Sequence, residues 1–261
     1  MKNQNKRQKD FEDLRNKHPA KPVFILVRPQ MAENIGMAAR AMMNCGIYDM
    51  RLVSPRELPT DEAALSASSG ADVILKNAQI FDSLEAAVSD LNYLFATTAR
   101  TRHIAKPVST TQDLKTLFRK LKISQDKIGI LFGCERTGLE NEELLLADSL
   151  LTIPLNSEHT SLNLSQAVLL VGYACLNAID SDDCVHTKTP QNVLATKAEV
   201  SSFLEKMDLL LQKKGYYWIE EKRQKMKQNL DNIFLKASLT SQEVRTLHGV
   251  LNFLSKEDEK K

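Results

Sequence analysis

Two stretches, PVFILV at 22–27 and KIGILF at 127–132, are almost unbroken runs of apolar and β-branched or aromatic residues. A strand with one wet face alternates apolar and polar side chains, so a continuous run requires a strand buried on both faces. Other β-rich segments lie at DMRLV (49–53), QIF (79–81), NYLFATT (in the 91–98 region) and SLLTIP (149–154). Helical patterns separate them near 33–45, 58–68, 83–89, 110–121, 140–147 and 163–179. Strands separated by helices of about ten residues imply βαβ units and a parallel sheet covered on both sides.

After residue 180 the pattern changes. DSDDCVHTKTPQ (180–191) is polar and aperiodic and reads as a linker. Beyond it come EVSSFLEKMDLLL, a break at KKGYYW, KMKQNLDNIFLKA, and SLTSQEVRTLHGVLNFLSK. In the last, Thr240 or Ser241 can cap, and Val244, Leu247, Val250, Leu251 and Leu254 are spaced for one face. The expected organisation is a basic N-terminal extension at 1–20, an α/β domain at 21–180, a linker at 181–191 and a helical domain at 192–261.

The composition excludes several function classes. No run of about 18 apolar residues exists, so no membrane span is expected, and the charged start MKNQNKRQKDFEDLRNKH is not a secretory signal. Cys45, Cys134, Cys175 and Cys184 are too scattered for a zinc site or a disulfide framework and fit reduced thiols in a cytoplasmic protein. The five histidines show no HxxxH spacing, and no metal is expected. The net charge is only +2, yet residues 1–22 hold seven Lys/Arg against three acids, and residues 213–227 hold six against two. Either patch can be a solvated face; the pair also suits an anionic partner such as RNA.

In α/β sheets ligands bind where strand carboxyl ends feed helix N-termini. Four loops qualify: RPQMAENIGMAAR (28–40), TTAR (97–100), FGCERTGLENEE (132–143) and IPLNSEHTSLNLSQAVLL (153–170). The first lacks the GxGxxG of a nicotinamide enzyme, and no P-loop is present. In the third, Gly133 and Gly138 permit close backbone approach to a ligand or serve a plain turn. Arg40, on a helix whose Ile35, Ala38, Ala39, Met42 and Met43 are expected to be buried, either faces a site or is solvated. In the fourth, Asn163 and Gln166 have capping-box spacing. One cap suffices, so Thr160, Ser161 and Ser165 either surround a ligand at a positive helix end or are ordinary loop residues.

Together these loops resemble the SPOUT superfamily, within it the SpoU/TrmH family of RNA ribose 2′-O-methyltransferases. The first family motif is similar to Asn34-Ile35-Gly36 followed by Arg40, and the second to Phe132-Gly133-Cys134-Glu135-Arg136-Thr137-Gly138-Leu139. The third is similar to Ile153-Pro154-Leu155 followed by Ser161-Leu162-Asn163-Leu164-Ser165. LVRPQ, TTAR, SLNLSQAV and a helical extension containing EVRTLHGVL further resemble the TrmJ-type tRNA (cytidine/uridine-2′-O-)-methyltransferases. Cys134 stands where that subfamily often has a polar residue, and the N-terminal extension lies outside the resemblance.

The resemblance implies a deep trefoil knot in the C-terminal part of the α/β domain, bound S-adenosylmethionine, and a homodimer. It implies cofactor contacts from Thr97, Thr98, Ala99, Gly133, Glu135, Gly138, Ile153, Thr160, Ser161, Leu162 and Asn163. Arg40 and Asn34 would be catalytic, and Arg28, Arg100 and Arg102 would meet RNA. The implied substrate is tRNA at anticodon-loop position 32, C and/or U. Alternatives are an rRNA methyltransferase of the same family and a non-catalytic RNA-binding dimer.

Overall fold

The computed structural model describes residues 21–99, 106–121, 126–179 and 193–256 of the protein. Within them, β1 (Val23–Val27), β2 (Met50–Val53), β3 (Gln79–Phe81), β4 (Tyr93–Thr97), β5 (Val108–Thr110), β6 (Ile128–Phe132) and β7 (Ser149–Thr152) form one sheet. Its order is β3-β2-β1-β6-β4-β7-β5, and every neighbouring pair is parallel.

The apolar runs occupy the positions that their composition demands. β1 and β6 are adjacent central strands, buried at every residue. Successive side chains point to opposite faces. Phe24 and Leu26 join the core under α1 (Ala32–Asn44) and α7 (Leu164–Ile179), with Ile130, Phe132 and Phe95. Val23, Ile25 and Val27 enter the opposite core with Leu131, Leu94 and Ala96, beneath α4 (Leu84–Val88) and α6 (Asn141–Leu146).

Sequence expectation and structure differ at short elements. α3 (Asp72–Asn77) and β5 were not anticipated; α2 (Glu62–Ala67) and α5 (Leu114–Lys120) are shorter than the patterns at 58–68 and 110–121. β5 has three residues, two half-buried and one exposed, so it carries no apolar signature. Met43 is half-buried, unlike its fully buried helix neighbours Met42, Ala38 and Ala39. The N-terminal extension, the linker at 181–191, Arg100 and Arg102 lie outside the described residues. So does part of the β4–β5 connection.

One charge is built into the sheet. Arg51 of β2 is buried and gives two hydrogen bonds to Asp90 at 2.6 and 2.9 Å, a third to the Ala87 carbonyl, and lies over the Phe81 ring. The Arg51 hydrogen bonds, aided by Lys127, hold the Asp90 carboxyl down at about 2 although partial burial opposes this. A carboxylate below its ordinary value of 3.8 contributes stability above that pH and loses it as pH falls toward 2. The wild-type protein is therefore expected to lose stability between pH 4 and 2 more steeply than Asp90→Asn in urea-unfolding series. Parallel acid limbs would contradict this.

The last three helices, α8 (Lys197–Lys213), α9 (Arg223–Lys236) and α10 (Ser241–Lys256), share their own core around Phe203, Leu204, Met207 and Val244. Thr196 opens α8 with a capping box. Thr240 caps α10, accepting from the Glu243 N–H at 3.2 Å. Val250 and Leu254 do not follow Val244 into the core but face solvent.

This helical unit is fastened to the sheet. The Lys197 N–H donates to the Leu91 carbonyl at 2.8 Å, and Asn92 Nδ2 donates to the Leu194 carbonyl at 2.7 Å. The Lys197 ammonium pairs with Asp148, both side chains being nearly buried. Asp148 also accepts from the Leu94 N–H of β4 at 2.7 Å. Nearby Lys106 donates to the Leu145 and Ala147 carbonyls, and burial lowers its ammonium to about 8.

Candidate active site

A cleft of about 190 Å³ opens at the carboxyl ends of β4, β6 and β7 and at the N-terminus of α7. Thr97, Thr98 and Ala99 form one wall, Gly133, Glu135 and Gly138 a second, and Ile153, Thr160, Ser161 and Leu162 a third. Ten of the eleven residues expected to hold a cofactor thus line one cavity; the eleventh, Asn163, lies in sequence between its lining residues Leu162 and Leu164. The polar entrance of α7 is the cleft's third wall.

Each wall is held by identifiable bonds. The Thr98 N–H donates to the Leu151 carbonyl at 3.1 Å, and Thr97 Oγ1 donates to the Leu131 carbonyl at 2.7 Å, so the β4 exit is tied to both neighbouring strands. The 133–138 loop folds back on itself: the Gly138 N–H donates to the Cys134 carbonyl at 3.0 Å, with Gly138 at φ 70. A Cβ on Gly133 would lie 2.2 Å from the backbone of Gly138 and Leu139, so no larger residue fits this reversal.

Asn163 caps α7. Its Oδ1 accepts from the Ser165 N–H at 2.9 Å and from the Ser165 hydroxyl at 2.7 Å, while its own N–H donates to Gln166 at 3.3 Å. Its Nδ2 donates to Asn34 Oδ1 at 2.9 Å. Asn34, 4% exposed, donates in turn to Glu135 Oε1 at 2.8 Å. Glu135 Oε2 accepts the Gln30 N–H at 3.0 Å. One hydrogen-bonded chain therefore links the three motifs, with partners 101 and 129 residues apart in sequence. The cap position of α1 is Met31, not Asn34, and the Ala32 N–H at the start of α1 is satisfied by Glu57 at 2.6 Å.

The arginines stand elsewhere. Arg28, at φ 48, pairs with Glu143 and lies 3.1 Å from Glu140 at the start of α6. Arg40 is exposed on α1, with Nη1 3.3 Å from the Ser69 hydroxyl, and does not line the cleft of its own chain.

Sequence reasoning missed part of the lining. Phe132, Leu151, Leu155, Leu164 and Ala167 give the cleft its apolar side. Their signal was positional, since most sit at strand ends or in the first turn of α7. Arg136, Thr137 and Cys134 also face it. Burial pushes the Cys134 thiol up, but hydrogen bonding to Thr137 and the Arg136 backbone, with the Arg28 charge, outweighs it and leaves the thiol below its usual range.

A model of the SpoU rRNA Methylase family matches residues 21–173. A protein from Photorhabdus laumondii named tRNA (cytidine/uridine-2′-O-)-methyltransferase TrmJ is 32% identical over 89% of this chain and 96% of its own length. An uncharacterized tRNA/rRNA methyltransferase from Haemophilus influenzae is also 32% identical, over 89% of this chain and 94% of its own. Among solved structures, TrmJ from Z. mobilis ZM4 superimposes with a TM-score of 0.77 at 39% identity, covering 90% of this chain and 99% of that one. With more than half of its residues matched by the family model and such relatives spanning nearly all of it, the chain belongs to the SpoU rRNA methylase family.

Proposed function

We propose that this protein is an S-adenosylmethionine-dependent ribose 2′-O-methyltransferase that acts on tRNA at a cytidine or uridine in position 32 of the anticodon loop. The observation that carries the reading is the convergence of three distant motifs on one cleft, fastened by the Asn163–Asn34–Glu135 chain. Relatives named as tRNA methyltransferases, matched over almost their full length, favour tRNA over rRNA.

The cleft suits an adenosyl cofactor. Its apolar side can take a flat base, its threonines and serine can meet ribose hydroxyls, and the 133–138 reversal lets backbone groups approach without a side chain between. When bound, the cofactor supplies a methyl group already activated on a sulfonium. The protein's work is then to position the ribose hydroxyl and help it lose its proton.

Arg40 is the group for that work. A guanidinium stays protonated, so it is no base. It stabilises a developing alkoxide and can clamp an adjacent phosphate, with the proton passing to phosphate or water. Because Arg40 lies outside its own cleft, we place it in the cleft of a second copy. Met37 and Arg40, three residues apart, share one exposed helix face. Leu169, Leu170 and Tyr173 are exposed on α7, which packs against α1. Such an apolar surface around a charged group fits an isologous homodimer interface. Free Cys45, Cys134 and Cys175 accord with a cytoplasmic location.

Nucleoside mass spectrometry of tRNA from cells with and without the protein is the direct test. Loss of 2′-O-methylcytidine or 2′-O-methyluridine at position 32 is the expected result. Unchanged ribose methylation throughout the tRNA pool would defeat the assignment.

A further inference from the structure

Far from the cleft residues in sequence, the chain carries an aromatic cluster that its core does not use. Helix α8 ends in a Schellman turn: Gly215 sits at φ 71, the Tyr216 N–H donates to the Leu211 carbonyl at 3.0 Å, and the Gly215 N–H to the Gln212 carbonyl at 3.1 Å. Past the turn Tyr216 and Trp218 are exposed, while Tyr217 is half-buried and reaches back to the helix. The Tyr217 hydroxyl donates to Asp208 at 2.7 Å, and the Arg223 guanidinium lies 5.7 Å from the Tyr217 ring centroid. The Tyr216 ring stands edge-on to those of Tyr217 and Trp218, with centroids 5.3 and 6.3 Å away.

Trp218 is the chain's single tryptophan and is 74% exposed. An indole gains by burial, yet here it stands in solvent with the Tyr216 ring edge-on beside it. Cations flank it in sequence. Lys213, Lys214, Lys222 and Lys225 are all exposed, within a stretch of six basic and two acidic residues in a chain of net charge +2.

We propose that this edge is a stacking platform for an unpaired RNA nucleotide, with the Trp218 indole against the base and the flanking lysines on neighbouring phosphates. The inference rests on the reading of the protein as an RNA methyltransferase and adds a second contact to it. Lysines alone would hold any nucleic acid through its phosphates. An exposed aromatic face adds what a phosphate contact cannot, because every base has a π-face but a duplex hides it inside the stack. The platform therefore favours loops and single strands over paired stems.

The position of Trp218 as the only tryptophan makes its emission a local probe in the unaltered protein. Titration with tRNA or with an unstructured oligouridylate is expected to quench that emission. A blunt RNA duplex of matched length, binding shown by anisotropy, should leave it unchanged. Trp218→Ala should weaken oligouridylate binding by about tenfold, with Trp218→Phe recovering much of the loss, while S-adenosylmethionine affinity stays constant. Unchanged emission at saturating single-stranded RNA, or equal quenching by duplex, would overturn the proposal. So would emission that responds to protein concentration and not to RNA, which would put a second copy on this edge. Because quenching needs no methyl transfer, failure of the methyltransferase reading would appear separately, as absent cofactor binding or absent turnover.

Discussion

Arg40→Ala is expected to lower kcat by about 10²–10³-fold while leaving the dissociation constant for S-adenosylmethionine unchanged. Removing one preorganised donor from a developing oxyanion typically has an effect of that size. Cofactor affinity should be spared because Arg40 lies outside the cleft of its own chain, with its guanidinium against Ser69. Arg40→Lys keeps the charge but loses the planar fork, so it should recover only part of the rate. Calorimetry for the cofactor and single-turnover kinetics for transfer separate the two quantities. Equal loss of both would show that Arg40 supports the cleft instead of acting on the substrate.

The second large effect is expected at Gly133. A methyl group there would have to occupy space 2.2 Å from the Gly138 carbonyl carbon and the Leu139 nitrogen. Both are backbone atoms, so the 133–138 reversal must open. Overpacking of this kind typically costs about 1–3 kcal/mol, and the cleft wall bears that distortion directly. Gly133→Ala should therefore weaken cofactor binding by about 10- to 100-fold, with little change in helix content by circular dichroism. Wild-type affinity would mean that this loop does not shape the cofactor site. The two variants also test whether the site is shared. At limiting cofactor each should be nearly inactive alone. Mixed under conditions that exchange subunits, they should regain activity, because a hybrid dimer would join an intact cleft from one subunit to an intact Arg40 from the other. No recovery would mean that each chain completes its own site.

The sheet could be read from sequence wherever burial was total. β1 and β6 announce themselves because both of their faces are covered, and Arg51 is the visible exception in β2. β5 is silent because a three-residue edge strand held by one neighbour needs no apolar composition. The order of strands was not legible, since adjacency is set by contacts between distant segments. The same limit governs the site. Asn34 invites a local explanation as a helix cap, yet it spends both ends of its amide on Glu135 and Asn163. Gly133 and Gly138 could have marked a plain turn; only the distance between their backbones shows that a side chain is impossible. Asn163, Ser165 and Gln166 were readable because a cap is a local device.

The strand order also governs when the chain can begin to fold on the ribosome. β6 separates β1 from β4, and β7 separates β4 from β5, so of the first five strands to be synthesised β1, β2 and β3 can share a ladder while β4 and β5 each stand alone. Until residues 128–152 emerge, β4 and β5 have no hydrogen-bonding neighbour in the sheet. A nascent chain that stalls before that point exposes unpaired apolar edges, which are hazards for aggregation. Synthesis must therefore run past the middle of the polypeptide before the sheet can close, and the cleft can form only once its last wall, at residues 153–167, has followed.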